Sequence, residues 1–356
     1  MDQGKNTTKR SGAVTIADIA LAAGVSKATV SLALNGSPVV KDETREKVTA
    51  AAASLGYVPN FSARRLVSGK SGMLGVVVPD IENVYYATLV KELTERVSAA
   101  GWSLSIFISS NDPDREARAV RDMIASRVEG IIYVPVNTPG GNDAVPLIQN
   151  SGIPAVCATT LTDGMSCVLC DLGDGMRHLT EQLLTTEPES VIYLDGSPGV
   201  YTLDVRRRAF SDAVERYRES GHDIVTRMIN IPSVDYFSAV RTVAGLEELP
   251  DAIVSVNDFM ALGAVNHLTS HGINVPDRVQ VTGFDDCVFA VSSPVPLTTV
   301  RQDIGELADK TVALLKMEMA GETSGREVIL IPTDVVTRRS TRQIKTNNGQ
   351  DPENKE

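Results

Sequence analysis

The chain is 356 residues long, which is enough for two or three domains that each bury an apolar core. Hydrophobic residues at 42% and charged residues at 22% exclude a disordered protein, and no apolar run approaches the roughly 18 residues of a membrane-spanning helix. The net charge of −11 is unevenly distributed: residues 1–72 carry ten Lys or Arg against five acids, a surplus of five that leaves −16 for the remainder. The basic amino-terminal end is therefore suited to a polyanion.

The first domain is predicted over residues 13–59, after a polar, flexible arm at 1–12. Thr15 and Asp18 have the spacing of a capping box that opens a helix. Apolar residues at helical spacing follow up to Gly24, a natural helix stop.

A second helix is predicted almost immediately, from Lys27 to Leu34, with Ser26 as its cap. Its apolar face comprises Val30, Ala33 and Leu34. Two short helices across a tight glycine turn are typical of a helix-turn-helix, and a third helix from Asp42 to Leu55 would close the small core.

From Met73 onward, short apolar runs alternate with amphipathic stretches, the pattern of parallel α/β structure. Strands are predicted at 74–78, 104–108, 130–134, 155–158, 191–194, 252–256 and 279–283. Helices are predicted at about 86–100, 115–126, 204–220 and 259–271. This pattern predicts two doubly wound lobes, with a ligand cleft at the carboxyl ends of their strands.

The lobes are expected to be discontinuous in sequence. The amino-terminal lobe is assigned residues 73–160 plus about 290–322, and the carboxyl-terminal lobe 161–289 plus about 323–343. Residues 344–356 are expected to form a disordered tail.

The segment from Val14 to Asp80 closely resembles the lactose-repressor/galactose-repressor family of bacterial transcription regulators. The resemblance continues through NDFMALGAV at 257–265, VTGFDD at 281–286, PLTTVRQD at 296–303 and VVTRRST at 335–341. It implies an all-α DNA-binding head, a hinge helix at 60–72, and a periplasmic-binding-protein-like effector domain of two parallel α/β lobes. It also implies a homodimeric repressor whose affinity for a pseudo-palindromic, double-stranded DNA operator is set by a small molecule, most often a sugar.

The second helix of a helix-turn-helix lies in the major groove, where its amino-terminal residues reach base edges. The positions that resemble the family's base readers are Lys27, Ala28 and Leu32. Lys27 can donate to guanine, whereas the other two offer apolar contact, for example to a thymine methyl group. Contacts to the DNA backbone are assigned to Thr29, Ser31, Asn35, Tyr57 and Asn60. The alternative for Leu32 is an additional core residue.

The segment 57–67 resembles the family's hinge helix, which is too short to be stable alone in water. The resemblance implies that Leu66 from each subunit wedges into a minor-groove base step and kinks the duplex. Ala63 would permit close approach of the helix, and Arg64 or Arg65 would contact phosphates. The alternative is an interdomain linker with incidental charges.

The resemblance also implies an effector site made of Tyr85, Tyr86, Arg206, Tyr236, Asn257 and Asp285. A guanidinium, a carboxylate and an amide together supply the donors and acceptors that sugar hydroxyls need, and aromatic rings can stack on a sugar face. Because Arg206 begins a run of three arginines, the functional arginine could instead be a neighbour. Asp258 and Asp286 could be helix caps or cleft ion pairs, and Thr159 departs from the acid that some sugar-binding members carry.

Other motifs fail as sites. Gly69-Lys70-Ser71 lacks the first glycine of a phosphate-binding loop, and Gly173-Asp174-Gly175 lacks the third glycine of a dinucleotide fingerprint. The spacing of Cys167 and Cys170 suits a metal, but no second Cys or His pair follows nearby, so strand residues are favoured over zinc ligands. Without a catalytic constellation, the sequence predicts no enzyme activity, no cofactor and no metal.

Four cysteines are too few for a disulfide scaffold, and the amino-terminal end lacks a signal-peptide core, so a cytoplasmic location is expected. The main prediction is a transcriptional repressor controlled by a small molecule. One alternative is a global regulator controlled mainly by a phosphoprotein partner. The other is a solute-binding protein with no DNA function, which the basic head disfavours.

Overall fold

The computed structural model describes residues 14–34, 37–57, 71–136, 143–232 and 234–343. The chain forms two compact units, Met1–Ser71 and Gly72–Glu356. Asn35, Asn60, Ala63, Arg64 and Leu66, for which DNA contacts are predicted, lie outside the described residues, as do the predicted arm and tail.

The first unit contains three helices, α1 (Ile16–Ala23), α2 (Lys27–Leu34) and α3 (Asp42–Ser54). The predicted capping box is present, since Thr15 donates to the Asp18 carboxylate from both its backbone N–H, at 2.8 Å, and its hydroxyl, at 2.7 Å. Gly24 ends α1 in the left-handed conformation, with a φ of 67°. The helices enclose a core of Ile19, Ala20, Val30, Ala33, Val40, Val48 and Ala52.

The second unit contains a six-stranded, fully parallel sheet in the order β11-β5-β4-β3-β1-β2. Its strands are β1 (Met73–Val78), β2 (Ser103–Ile108), β3 (Gly130–Tyr133), β4 (Ala155–Ala158), β5 (Ser166–Cys170) and β11 (Val328–Ile331).

A second parallel sheet has four strands in the order β7-β6-β8-β9. They are β6 (Ser190–Asp195), β7 (Val225–Asn230), β8 (Ala252–Ser255) and β9 (Gln280–Thr282). A separate antiparallel pair joins β10 (Thr299–Gln302) to β12 (Thr333–Val336). The predicted fold class, a helical head followed by two parallel α/β lobes, is confirmed.

The helices of the second unit mostly connect successive strands, as parallel pairing requires. They are α4 (Val84–Ala99), α5 (Pro113–Ala125), α6 (Ala144–Ser151), α7 (Leu172–Leu184), α8 (Tyr201–Glu219), α9 (Tyr236–Ala244), α10 (Asp258–Ser270), α11 (Val288–Ser292) and α12 (Ile304–Ala320). The sequence patterns identified α4, α5, α8 and α10 but not the other five.

The strand pairing corrects the predicted lobe boundary. Residues 161–170 and 328–331 were assigned to the carboxyl-terminal lobe, but they contribute β5 and β11 to the first sheet. The short connection at 159–165 returns the chain directly beside β4, with Val156 opposite Ser166, instead of passing to the second sheet. A boundary based on alternating strands and helices misses this return because no helix separates the two strands.

Within the described residues, no single helix is long and apolar enough to cross a membrane. The successive helices α1 and α2 would together be long and apolar enough, but the chain bends by 101° between them.

Candidate functional site

The predicted DNA-reading helix is held by a cap at its amino-terminal end. The Ser26 hydroxyl accepts the Thr29 N–H at 3.1 Å and also shares a hydrogen bond with the Thr29 hydroxyl at 2.8 Å. Val30 and Ala33 are buried in the core of the head, so the opposite face of α2 is turned outward. Lys27 and Ala28 are exposed, and Ser31 is half-buried.

Leu32 is 43% exposed, so the alternative in which it completes the core does not hold. An exposed leucine on this helix is available for apolar contact with a partner. Tyr57 is half-buried and packs against the core of the head, and its backbone N–H donates to the Ala52 carbonyl at 2.9 Å. Its assignment to the DNA backbone stays a prediction.

Arg206 is a buried cation in the second turn of α8, with only 7% of its surface exposed. Its Nη1 donates to the Val256 carbonyl at 2.5 Å, and its guanidinium carbon lies 3.9 Å from the centre of the Phe284 ring. Its Nη2 is 3.6 Å from Asp285 Oδ1, too long for a direct hydrogen bond. Among the residues that the structure describes, the buried Nε–H has no hydrogen-bond partner.

The three consecutive arginines lie in different environments, because successive helix positions are rotated by about 100°. Arg207 is paired with Asp195 and Asp204, whereas Arg208 is exposed. Arg206 is the arginine that lies beside Asp285, which removes the ambiguity that the arginine run created.

Asp285 follows β9 in a sharp turn, where its φ is 113°, and its N–H donates to the Val300 carbonyl at 2.8 Å. Its Oδ1 accepts the Gln302 side-chain amide at 2.8 Å. Burial raises the pKa of Asp285 to about 6, while Arg206 and Gln302 act in the opposite direction. The carboxylate is thus an acceptor whose charge titrates close to neutral pH.

Asn257 lies beside this pair, since the carbonyl that Arg206 binds belongs to the preceding residue. Asn257 is the cap of α10, and its Oδ1 accepts the Met260 N–H at 2.8 Å. A ligand contact would therefore fall to its amide Nδ2, which can only donate.

Asp258 and Asp286 have partners within the protein. The sequence analysis gave helix caps or ion pairs as the alternative roles of these acids. Asp258 accepts the Thr299 hydroxyl at 2.5 Å and the Cys287 N–H at 2.8 Å, and burial followed by the Asp285 charge raises its pKa to about 8. Asp286 pairs with two arginines, Arg301 at 2.7 Å and Arg338 at 2.6 Å.

Gly283 permits the buried position of Asp258, because a Cβ at residue 283 would come within 2.1 Å of the Asp258 carboxylate. The glycine of the GFDD motif is thus explained by close approach of the two backbones.

Tyr85 and Tyr86 begin α4 directly after the first strand of the other sheet, and their rings meet edge to face at 5.3 Å. Burial raises the pKa of Tyr85 well above its ordinary value and that of Tyr86 to about 12, and the charge of Asp285 contributes to both shifts. Asp285 and Arg206 are thus among the charges that act on both tyrosine hydroxyls, which places the tyrosines within electrostatic range of that pair. We call Tyr85, Tyr86, Arg206, Asn257 and Asp285 the effector cluster.

Tyr236, predicted to stack on the ligand, has partners of its own for its hydroxyl and ring, and its stacking role stays a prediction. Its hydroxyl accepts the Asn266 side-chain amide at 3.0 Å, and its ring lies 6.0 Å from that of Phe259. Asn266 is nine residues beyond Asn257 on α10, about 13 Å along the helix axis, so the hydroxyl is directed away from the cap. The structure does not bring this hydroxyl to the effector cluster.

Two contributors to the cluster were not predicted. Phe284 supplies the ring beneath Arg206, and Gln302 holds Asp285 from the end of β10. Both lie within motifs that carry the family resemblance, VTGFDD and PLTTVRQD. Gln302 is buried at the end of β10, and its place in the PLTTVRQD motif was the only sequence signal for it.

Comparison with known proteins identifies the family. A model of bacterial regulatory proteins, lacI family, matches residues 15–60, and a model of the periplasmic binding protein-like domain matches residues 181–341. Catabolite control protein A from Priestia megaterium is 30% identical, over 92% of this chain and 99% of the relative. The chain belongs to the lacI family.

This lacI-family regulator is similar over more than nine-tenths of its length to other regulators. The HTH-type transcriptional regulator DegA from Bacillus subtilis (strain 168) is 28% identical over 93% of this chain and 99% of the relative. The crystal structure of the Lac repressor dimer bound to operator and the anti-inducer ONPF is 26% identical, with a TM-score of 0.80 over 93% of this chain and 99% of that one. The chain is thus a DNA-binding transcription regulator, as its sequence predicted.

Proposed function

We propose that this lacI-family regulator binds a pseudo-palindromic operator as a homodimer in the cytoplasm and lowers transcription by blocking RNA polymerase. A sugar bound at the effector cluster changes its operator affinity. A ligand shifts such an equilibrium only by its affinity difference between the two states, so a coupling of about 1–3 kcal/mol gives a change of about 5- to 150-fold.

The observation that carries the proposal is the buried Arg206–Asp285 pair, whose charges act on Tyr85 and Tyr86. A buried guanidinium with an unpartnered Nε–H is costly unless a ligand or water satisfies it. Arg206 and Asn257 offer donors, Asp285 offers acceptors, and the tyrosine rings offer apolar faces. Neighbouring sugar hydroxyls, each both donor and acceptor, complement that set.

The reading helix supports the DNA half of the proposal. Lys27, Ala28 and Leu32 are exposed on one helix, with a cation at its amino-terminal end. That end enters the major groove in a helix-turn-helix complex. The similarity to a Lac repressor dimer bound to operator supports both the DNA partner and the dimer.

A thermal-shift screen against sugars and nucleosides tests whether the protein binds a small-molecule effector. Operator binding is then measured with each hit at several salt concentrations. We expect a sugar to raise the melting temperature and to change operator affinity at least 5-fold. Equal affinity for operator and random duplexes would overturn the DNA half. A response to a phosphoprotein, with none to any small molecule, would replace the sugar by a protein partner.

A further inference from the structure

Two buried cysteines outside the effector cluster lie side by side in the first sheet. Cys157 in β4 and Cys167 in β5 are Cα partners in the parallel register, and neither has any exposed surface. Partners on adjacent parallel strands are about 4.8 Å apart and place their side chains on the same face. That separation lies within the range of roughly 4.4–6.8 Å found across disulfides.

The same register explains why Cys170 is not part of this pair. Side chains alternate along a strand, so residues 167 and 170 of β5 point to opposite faces. Cys167 packs with Cys157 in the cluster that includes Val77 and Met123, whereas Cys170 belongs to the core on the other face. The CxxC spacing noted in the sequence therefore joins no site, and the partner of Cys167 is the cysteine ten positions before it.

The two sulfurs have unequal acidity. Interaction with the neighbouring Cys157 thiol is the main cause that lowers the pKa of Cys167 below that of an ordinary thiol, and the Thr162 N–H, which donates to the Cys167 sulfur at 3.3 Å, acts in the same direction. Burial raises the pKa of Cys157. A sulfur with thiolate character next to one that keeps its proton is the arrangement of an attacking thiol and a resolving thiol.

The connection between β4 and β5, residues 159–165, covers the pair. Thr162 contacts both sulfurs, with its hydroxyl 3.0 Å from Cys157 Sγ. The neighbouring Leu161 is 46% exposed. Local opening of this short connection would expose the sulfurs without separating the strands.

We propose that Cys157 and Cys167 are an oxidation site that forms a reversible intramolecular disulfide in the presence of a hydroperoxide. The Cys167 thiolate attacks the peroxide, breaks its O–O bond and becomes a sulfenic acid, releasing hydroxide or alkoxide that takes up a proton. The Cys157 thiol then attacks that sulfur, loses its proton and displaces water. With hydrogen peroxide, two thiols give up two electrons and two protons, and one peroxide becomes two waters.

The test uses the full-length protein and hydrogen peroxide, with no operator or sugar, so its result is independent of the proposed function. After excess peroxide is removed, free thiols are counted in denaturant before and after treatment with dithiothreitol. We expect the four thiols of the chain to fall to two and to return to four on reduction. Mass spectrometry after cleavage before Asp163 and after Leu169, which separates the three cysteines of this region, should show an unreduced monomer in which the fragments of Cys157 and Cys167 are joined.

Matched variants assign the thiols that are lost. Cys170→Ser and Cys287→Ser should still lose two thiols reversibly, whereas Cys157→Ser and Cys167→Ala should lose no pair that dithiothreitol restores. The peptide map of the unaltered chain gives the same answer if a variant fails to fold. Retention of four thiols, a bridge to Cys170 or Cys287, or a bridge between two chains would each overturn the proposal.

Discussion

Arg206 and Asp285 form a buried ion pair that is not closed by a direct hydrogen bond, because 3.6 Å separates Nη2 from Oδ1 while both side chains are about nine-tenths buried. Removing two charges from water is costly, and a loose pair recovers only part of that cost. A ligand hydroxyl that donates to Asp285 and accepts from Arg206 would complete the pair. Under the proposed function, binding of the effector would therefore stabilise the site.

Arg206→Ala is expected to abolish the thermal shift produced by any sugar effector. It should also lower the free energy of unfolding by about 3 kcal/mol at pH 8, since breaking a buried pair leaves an uncompensated charge. The loss should be smaller at pH 5, where Asp285, with a pKa of about 6, is largely protonated. Urea unfolding at both pH values measures the effect.

Arg208→Ala is the matched control for that variant, because Arg208 lies on the same helix but is exposed. We expect it to keep the full ligand shift and to change stability by no more than about 0.5 kcal/mol. A full ligand shift in the Arg206→Ala protein would mean that Arg206 does not bind the effector.

Leu32→Ala should weaken specific operator binding by about tenfold while leaving the melting temperature of the head nearly unchanged. An apolar base contact contributes about 1–3 kcal/mol, whereas truncating a side chain that is 43% exposed removes little packing. Leu21→Ala is the control, since Leu21 is 86% exposed on α1, outside the reading helix. Equal affinity losses in the two variants, measured by fluorescence anisotropy, would contradict base contact by Leu32.

Leu66→Ala tests the minor-groove wedge that the family resemblance implies. We expect a large loss of affinity for the operator and little change for random DNA, because phosphate contacts supply most non-specific binding. Circular dichroism should show an intact fold. Unchanged operator affinity would remove the wedge from the mechanism.

Asp258→Asn should become increasingly stabilising, relative to the unaltered chain, as pH rises from 5 to 8. The pKa of Asp258 is raised to about 8 in the folded protein, so the native state holds a proton that the unfolded chain has already released, and stability falls across this interval. Asparagine has no such proton and can retain both hydrogen bonds, accepting from the Cys287 N–H and donating to the Thr299 hydroxyl.

Asp309→Asn is the control for that pH series. Arg96 holds the pKa of Asp309 below its usual value, so this exposed carboxylate is ionised throughout the interval in both states. Its replacement should shift stability by the same amount at every pH. Urea unfolding at four pH values compares the two variants, and a pH-independent difference for Asp258→Asn would show that Asp258 is ionised in the fold.

Local sequence patterns predicted those helices and turns whose caps and stop signals lie within a few residues of each other. The capping box at Thr15 and Asp18, the stop at Gly24 and the bounds of α2 follow from local hydrogen bonding, and the structure has them as predicted. The placement of β5 was missed because strand pairing depends on where the chain returns. The arginine run could not be resolved by sequence alone either, since helix rotation relative to β8 and β9 determines which guanidinium is buried.

The sequence by itself determined a basic helix-turn-helix and parallel α/β lobes, because turn chemistry, periodicity and charge are local properties, whereas the candidate sugar-binding residues came from the family resemblance. Only the tertiary structure decided that Arg206 faces Asp285, that Gln302 holds that carboxylate, and that the Tyr236 hydroxyl turns to Asn266. It also placed Cys157 against Cys167. These relationships join segments far apart in the chain, and burial and strand register, which no short window contains, fix their geometry.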